Sequence, residues 1–283
     1  MVNILSGFAQ RNNVITGTCD AAPLDGGRLS ASPFVPFVKA DIRKRIDPTA
    51  VLEGARSVIV IGVPWVLGGT YEREGAARVS SLGVNHDYHP LVKGLLGKLA
   101  GELAEVYDFR YKIFVDSPFL DERAFAHRAG IGFFGRNKLI ISRRFGTRFN
   151  IGLMVTDLDV GEGADAPPQG FCPENCRLCI DACPTNALRG DVLDASRCCS
   201  YITQKVELEP GDEILIGNQI YGCDICQDVC PFNPPINPAF VAPDEILKLD
   251  DAGFEEQFRH TAASWRGVKI LRRNAGIVLG SAK

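Results

Sequence analysis

The chain has 283 residues, of which 46% are hydrophobic, enough to bury one large core or two modest ones. It contains no run of about 18 apolar residues, so the sequence predicts no membrane-spanning helix. The formal net charge of −3 argues against a general nucleic-acid binder and leaves such contacts to a local basic patch.

The first half of the chain alternates strand and helix signals. Residues 1–50 are rich in Gly, Pro and Ser, which indicates helix and loop without firm boundaries. The segment Ser57–Trp65 is apolar and β-branched, so it predicts a strand buried on both faces. An amphipathic helix follows, because leucines recur there at the helical period. They are Leu91, Leu95, Leu99 and Leu103.

A second strand and a second helix come next. The segment Tyr111–Pro118 predicts a strand that ends at Asp116 and a turn. Residues 120–130 predict an amphipathic helix with Gly130 as its C-cap. Two apolar runs on either side of Phe145-Gly146 then predict a hairpin. This order of elements argues for an α/β or α+β domain.

The cysteines are concentrated in one part of the chain. Nine of the ten lie between Cys172 and Pro231, in two blocks that each end in Cys-Pro. The first block reads C-x3-C-x2-C-x3-C-P and the second reads C-x2-C-x3-C-P. In two-cluster ferredoxins, closely spaced thiolates hold one cluster while the cysteine before proline ligates the other cluster. The pattern therefore predicts a ferredoxin-like module with two 4Fe-4S clusters.

This crossover predicts which thiolates share a cluster. The first cluster takes Cys172, Cys176, Cys179 and Cys230. The second cluster takes Cys183, Cys223 and Cys226. Its fourth ligand is Cys198 or Cys199, of which we favour Cys198. Cys172 is the least typical ligand because one extra residue separates it from the next cysteine. Cys19 and Cys199 are expected to be spare and buried as small hydrophobes.

Disulfides and zinc are the alternatives for this cysteine pattern. The chain starts without the charged and apolar regions of a secretory signal peptide, so the sequence does not indicate an oxidising compartment. Zinc favours paired C-x2-C knuckles around one metal, whereas eight ligands with two Cys-Pro turns fit iron better. We therefore expect a reducing, cytoplasmic setting.

Asp116 is the acid that the sequence singles out. A carboxyl at the end of a strand, beside a proline turn, can face a crevice where removal from water favours the proton-donor form. The alternative is an ordinary turn or N-cap aspartate before Pro118. Asp87-Tyr88-His89 begins like the D-x-H-x-x-G signature of proteins that ligate cobalt through His, but Val92 replaces the Gly. We favour Asp87 as an N-cap, and no G-x-G-x-x-G or Walker A sequence follows the predicted strands.

The combination of motifs resembles the epoxyqueuosine reductase family. The segments that carry the resemblance lie within residues 41–283. They are RIDPTAVLEGARSVIV, DYHPLV, VDSPFLDERAFAHRAGIGFFGRNKLII, CRLCIDACPTNAL, LDASRCCSYIT and IGNQIYGCDICQDVCPFN. The resemblance implies a cobalamin-binding catalytic domain and two 4Fe-4S clusters that feed electrons to cobalamin. It also implies the conversion of epoxyqueuosine to queuosine in tRNA, with an electron donor such as a flavodoxin or ferredoxin system.

Individual positions carry over from the family. Asp116 matches the family's proton donor, and Cys198 of the RCCSY segment matches the position of the family's lone cysteine, which selects it over Cys199. Positions that line the cobalamin pocket in the family match Arg45, Asn137, Lys138 and Ile140.

The resemblance departs from the family near residue 283. Family members continue into a helical-repeat domain that helps to hold tRNA, whereas this chain ends within what resembles the first repeat helix. Its last segment is basic and carries Arg266, Lys269, Arg272, Arg273 and Lys283. Either the core and this tail hold tRNA, or the substrate is smaller. The alternatives are thus a small-molecule reductase similar to reductive dehalogenases, or a plain iron–sulfur electron carrier.

Together these patterns predict an α+β protein with three segments. Residues 1–165 are expected to form an α/β-type cobalamin-binding catalytic domain, followed by a Gly- and Pro-rich linker within residues 160–170. Residues 166–240 are expected to form the ferredoxin-like double-cluster module. Residues 241–283 are expected to form a short helical tail.

Overall fold

The computed structural model describes residues 1–25, 37, 45–65, 76–160, 170–190 and 192–281. Most of the predicted linker, and the basic residue Lys283, lie outside these ranges. Contacts divide the chain into two compact units. Unit 1 comprises Met1–Trp65 and His89–Cys176, and unit 2 comprises Val66–Tyr88 and Arg177–Lys283. The boundaries at residues 165 and 240 stay predictions.

The described residues form eleven strands and eleven α-helices. The strands are β1 Ile15–Asp20, β2 Ser57–Pro64, β3 Ala77–Val79, β4 Tyr111–Phe114, β5 Phe133–Phe134, β6 Ile140–Ile141, β7 Phe149–Thr156, β8 Leu188–Arg189, β9 Val192–Leu193, β10 Gln219–Tyr221 and β11 Ala239–Val241. The helices are α1 Val2–Asn12, α2 Ser81–Val84, α3 Tyr88–Ala104, α4 Glu122–Arg128, α5 Leu178–Asp181, α6 Cys199–Ile202, α7 Asp212–Ile216, α8 Ile225–Asp228, α9 Pro243–Lys248, α10 Asp251–Phe258 and α11 Gly267–Ser281. In the described ranges, none of these helices combines the length and the apolar character that a membrane span requires.

A four-stranded sheet with the order β1-β2-β7-β4 lies at the centre of unit 1, and all neighbouring strands are antiparallel. β2 pairs on both sides and is buried from Ser57 to Val63. This confirms the two-faced burial that its continuous β-branched run predicts. α4 packs on one face of the sheet, where Phe125 shares a hydrophobic core with Val60 and Leu153.

α3 covers the opposite face of this sheet. A Cβ atom on Gly152 of β7 would lie 2.5 Å from a side-chain carbon of Val92 and 2.8 Å from one of Leu96. The absence of a side chain at Gly152 therefore lets α3 approach the sheet closely. The predicted helix is confirmed, but its buried face is rotated. Val92, Leu96, Leu99 and Leu103 are buried, whereas Leu91 is exposed.

The expected hairpin around Phe145-Gly146 is wrong. β6 pairs with β5, and β7 enters the main sheet between β2 and β4. The chain does turn at the expected place, where Ser142 forms an isolated bridge with Gly146. Both apolar runs are strands, but apolar periodicity does not determine which strands pair. The structure also differs from the sequence prediction at β1, a strand in a region where only helix and loop were expected.

Unit 2 contains a three-stranded sheet with the order β10-β3-β11, in which β3 runs parallel to β10 and antiparallel to β11. The three helices α9, α10 and α11 occupy the region expected to be helical, and Phe254 and Leu271 contribute to the core of this unit. Asn274 of α11 is fully buried, and its Nδ2 donates to the carbonyl oxygens of Thr203 at 2.7 Å and Ile220 at 2.8 Å. The predicted α+β class is confirmed.

Candidate active site and cluster cysteines

Asp116 lies in a strained turn of unit 1. β4 ends at Phe114, and Asp116 follows with a φ of 49°, in the left-handed region that non-glycine residues seldom adopt. Such a conformation costs on the order of 1–3 kcal/mol and persists only where its surroundings impose it. The Asp116 side chain is 61% exposed, so the described residues do not bury this carboxyl as the sequence argument expects. The turn instead presents the carboxyl to solvent.

His89 is the partner of Asp116 in this structure. It is the second residue of α3, and its Nε2 atom lies 3.8 Å from Oδ2 of Asp116. This separation lies within ion-pair range and is longer than a hydrogen bond. Asp87 directly precedes α3, in the position expected of an N-cap residue. Within the DYH segment, His89 is the residue that contacts Asp116. Sequence reasoning did not predict this contact.

Glu122 lies behind the Asp116 turn and was also missed. Its Oε1 accepts a hydrogen bond from the backbone N–H of Ser117 at 2.9 Å, and the backbone amide of Asp116 interacts with the same carboxyl. Burial raises the pKa of Glu122 to about 8, and the negative charges of Asp116 and Asp121 add to the shift. The signal that could have indicated its role is its place at the first position of α4, six residues after Asp116.

The four residues predicted to line the cobalamin pocket all lie in unit 1. Arg45, Asn137 and Ile140 are buried, and Lys138 has a left-handed φ of 64°. Burial of an arginine side chain and of an asparagine amide is uncommon unless they meet polar groups. Three of these four positions are therefore interior, and the fourth sits in a constrained turn.

Two of these residues are tied to the beginning of α4. The carbonyl oxygen of Arg45 accepts a hydrogen bond from the backbone N–H of Asp121 at 2.9 Å, and Nη2 of Arg45 donates to the carbonyl of Leu120 at 3.3 Å. The carbonyl oxygen of Lys138 accepts a hydrogen bond from Nη1 of Arg123 at 3.2 Å. The structure thus brings Arg45 and Lys138 to the same helix end that carries Glu122.

The turn at residues 135–139 carries Asn137 and Lys138. Oδ1 of Asn137 accepts a hydrogen bond from the backbone N–H of Leu139 at 3.2 Å. Its buried Nδ2 has no hydrogen-bond partner among the described residues. On the same turn, the backbone N–H of Arg136 donates to Sγ of Cys172 at 3.4 Å. A predicted cluster ligand therefore contacts the turn that holds two predicted cofactor residues.

The four cysteines predicted for the second cluster all belong to unit 2. Burial raises the pKa of the Cys198 thiol, and the nearby thiols of Cys223 and Cys183 raise it further. Burial likewise raises the pKa of Cys226, with added contributions from Cys223 and Cys198. The charges of Cys179 and Cys199 take part in the same mutual effects, so the ligand set of the second cluster stays a prediction.

Cys198 and Cys199 occupy different environments. The backbone N–H groups of Ser200 and Tyr201, at the start of α6, stabilise the thiolate of Cys198 and oppose the increase in its pKa. Cys199 is buried, and a hydrogen bond with Cys223, followed by burial, raises the pKa of its thiol well above the usual value. The backbone donors therefore offset only part of the increase in the pKa of Cys198, and the choice of Cys198 over Cys199 as the ligand stays a prediction.

The remaining predicted ligands are divided between the two units. Cys172 and Cys176 belong to unit 1, and Cys179 and Cys230 belong to unit 2, so the ligand set of the first cluster stays a prediction. Cys19 is buried in the core of unit 1, and burial raises its pKa to about 12. The described residues include every cysteine, and no disulfide joins them. Nor does any group of three His, Cys, Asp or Glu side chains in those ranges form a site for a single metal ion.

Two family models match the chain. Residues 172–233 match a 4Fe-4S double cluster binding domain, and every cysteine predicted to be a ligand lies in this range. Residues 45–117 match the model described as epoxyqueuosine reductase QueG, DUF1730, and that range includes Asp116. The chain is therefore an iron–sulfur protein with a double 4Fe-4S cluster domain.

Known proteins are similar over most of the chain. An epoxyqueuosine reductase of Lactococcus garvieae (strain Lg2) is 37% identical over 267 residues, which cover 87% of this chain and 75% of that protein. A crystal structure of epoxyqueuosine reductase with a tRNA-Tyr epoxyqueuosine-modified tRNA stem loop aligns with a TM-score of 0.88 at 30% identity, covering 97% of this chain and 80% of the other. An epoxyqueuosine reductase structure from Bacillus subtilis, with its catalytic aspartate loop swung out of the active site, aligns with a TM-score of 0.86 at 30% identity, covering 98% and 80%. This chain belongs to the epoxyqueuosine reductase family, whose members are oxidoreductases.

Proposed function

We propose that this chain converts epoxyqueuosine to queuosine in tRNA, using electrons from two 4Fe-4S clusters, bound cobalamin and Asp116 as the proton donor. Family membership supports the reaction, and the relative solved with a modified tRNA stem loop supports tRNA as the substrate. The observation that carries the proposal is the Asp116 turn, in which an exposed carboxyl is held beside His89 at 3.8 Å. An exposed acid of this kind can be reached by a nucleotide that belongs to a macromolecule.

The residues predicted to hold cobalamin fit a large cofactor with many amide groups. Asn137 offers a buried Nδ2 donor that has no partner in the described part of the chain. A buried donor of this kind costs free energy unless a bound group accepts its hydrogen bond. Arg45, Lys138 and Ile140 are proposed to complete the pocket. When bound, cobalamin supplies metal-centred reduction chemistry that amino-acid side chains lack.

Removal of the epoxide oxygen consumes two electrons and two protons and releases water, as the carbon–oxygen bonds of the epoxide break. Asp116 is proposed to donate a proton to that oxygen, which makes it a better leaving group. His89 is proposed to return a proton to Asp116 once its Nε2, now 3.8 Å from Oδ2, moves within hydrogen-bond distance. The relative with its aspartate loop swung out of the active site supports a second position for the Asp116 turn as well.

Contacts within unit 1 support a route for the electrons. The backbone N–H of Arg136 reaches the sulfur of Cys172, a proposed ligand of the first cluster, and Asn137 is the next residue in the chain. One short turn therefore connects the proposed cluster ligand with the proposed cobalamin contacts. The electron donor to the clusters is proposed to be a flavodoxin or ferredoxin system.

Replacing Asp116 by Asn tests the proposed acid. Asp116→Asn is expected to keep the absorption spectra of the clusters and of cobalamin, because the residue is exposed and the change is isosteric. Turnover of epoxyqueuosine in tRNA should fall by at least about 100-fold, since the amide has no proton of suitable acidity to donate. Mass spectrometry of the tRNA nucleosides measures the product.

The matched control is Asp108→Asn, at an exposed loop position of the same unit. This control should turn over like the unchanged protein. Retained turnover in Asp116→Asn, with both sets of cofactors present, would show that another group is the proton donor.

A further inference from the structure

The carboxyl of Glu122 contacts the backbone of the Asp116 turn. Glu122 places its Oε1 2.9 Å from the backbone nitrogen of Ser117 and also interacts with the backbone amide of Asp116. Consecutive backbone N–H groups around a left-handed residue form a concave site that suits an acceptor oxygen. The φ of 49° at Asp116 creates such a site, and the Glu122 carboxyl occupies it.

We propose that Glu122 is a positioning residue, whose carboxyl holds the Asp116 turn in the conformation that places the Asp116 side chain beside His89. This inference rests on the proposed role of Asp116 as the proton donor. The strain of a left-handed aspartate has to be offset by contacts that other conformations lack. The hydrogen bonds from the turn to Glu122 are contacts of that kind.

Hydrogen bonds fix the N-terminal end of α4, which carries Glu122. Glu122 is the first residue of α4, and Asp121 before it is buried. Oδ1 of Asp121 accepts a hydrogen bond from the backbone N–H of Ala124 at 3.2 Å, which caps the helix. The backbone N–H of Asp121 in turn donates to the carbonyl of Arg45 at 2.9 Å. Glu122 therefore projects from a capped helix end and can define the position of a more exposed turn.

The protonation of Glu122 indicates which substitution preserves this contact. Burial and the carboxylates of Asp116 and Asp121 raise the pKa of Glu122 to about 8. Near pH 7 the carboxyl is therefore mostly neutral, and its carbonyl oxygen still accepts the hydrogen bond from Ser117. Glutamine has the shape of this neutral acid and the same acceptor. Glu122→Gln should therefore preserve the turn. Glu122→Ala and Glu122→Met both remove the acceptor, and the methionine side chain still fills most of the space that the glutamate side chain occupied.

The experiment compares these three variants in the cofactor-loaded protein. Hydrogen exchange of the Ser117 amide should become at least about tenfold faster in Glu122→Ala and Glu122→Met and stay unchanged in Glu122→Gln. The kcat for epoxyqueuosine in tRNA should fall by about 10- to 100-fold in Ala and Met, because a misplaced acid loses its alignment. KM should stay unchanged, and Glu122→Gln should remain within about threefold of the original kcat. The matched control is Glu105→Ala, an exposed acid directly after α3.

The outcomes separate this inference from the proposed function. Glu122→Met is examined alone if Glu122→Ala does not fold. Unchanged Ser117 exchange and unchanged kcat in the folded variants would overturn the positioning role, even where Asp116→Asn is inactive. If Asp116→Asn is active, the proposed proton donor is wrong, and the exchange of the Ser117 amide still decides whether Glu122 holds the turn.

Discussion

Two neighbouring cysteines, Cys198 and Cys199, show how the backbone distinguishes chemically identical side chains. The sulfur of Cys198 lies at the start of α6 and accepts hydrogen bonds from the backbone N–H groups of Ser200 and Tyr201. The Cys199 side chain points into the core and interacts with Cys223. Donors at a helix start favour the thiolate form that a metal needs. The spacing of the cysteines alone left both residues open as ligands.

Serine substitutions test this distinction. Cys198→Ser is expected to lose the second cluster, because serine is a poor substitute for a thiolate, and the iron content should fall from about eight to about four atoms per chain. Cys199→Ser is its matched control and should retain about eight iron atoms. Iron and acid-labile sulfide analysis of anaerobically reconstituted protein measures the difference. A loss of iron confined to Cys199→Ser would reverse the assignment.

The role of Asp116 as the proton donor stays a prediction. A strand end before a proline turn left an ordinary turn or N-cap aspartate open, and the family resemblance selected the role of proton donor. His89 and Glu122 were not recognised, since hydrogen bonds and ion pairs depend on distances that a local pattern does not contain. Exposure was also misjudged: a strand end can face a crevice, yet the Asp116 side chain is 61% exposed among the described residues.

At the level of secondary structure elements, local signals identified α4, β2 and β7 but missed β1, and they did not give the pairing of β7. α4 ends as expected, because Gly130 follows it with a φ of 78° that an L-residue rarely adopts. β2 is a buried strand, as its β-branched run predicts. β7 was identified as apolar, but its position between β2 and β4 depends on strands distant in sequence. β1 was missed because its sequence, ITGTCD, is short and contains a glycine.

The packing of α3 on the sheet leads to a prediction about Gly152. Gly152→Ala would place a Cβ atom 2.5 Å from Val92 and 2.8 Å from Leu96, which is too close without movement of the helix. We expect unit 1 to lose about 1–3 kcal/mol of unfolding free energy, the usual cost of overpacking a core. Native-state hydrogen exchange of the β2 amides measures this loss.

The matched control for Gly152→Ala is Gly97→Ala, on the exposed side of α3. A Cβ atom on Gly97 would meet no atom within 4 Å in the described structure. Gly97→Ala should therefore stabilise unit 1 by about 0.5–1 kcal/mol, because alanine favours the helix and restricts the unfolded chain. An equal response of the two variants would show that α3 does not pack closely against β7.

At the scale of the whole molecule, the proposed reaction assigns different tasks to different parts of the chain. Cysteine thiolates hold clusters that carry single electrons, whereas Asp116 and the proposed cobalamin contacts belong to unit 1. A plain electron carrier would need the cluster module alone. The buried Asn137 amide and the strained Asp116 turn have no use in such a carrier, and they favour a reductase.

Withholding cobalamin tests this division of tasks. Protein with both clusters reconstituted but without cobalamin should still accept electrons from dithionite, as electron paramagnetic resonance of the reduced clusters would show. It should leave epoxyqueuosine in tRNA unchanged, because the clusters transfer electrons and offer no group that reacts with the epoxide. Adding cobalamin should restore queuosine formation. Conversion without cobalamin would contradict the proposed cofactor. Failure to bind cobalamin would favour the electron carrier, since the proposed contacts at Arg45, Asn137, Lys138 and Ile140 would then have no ligand.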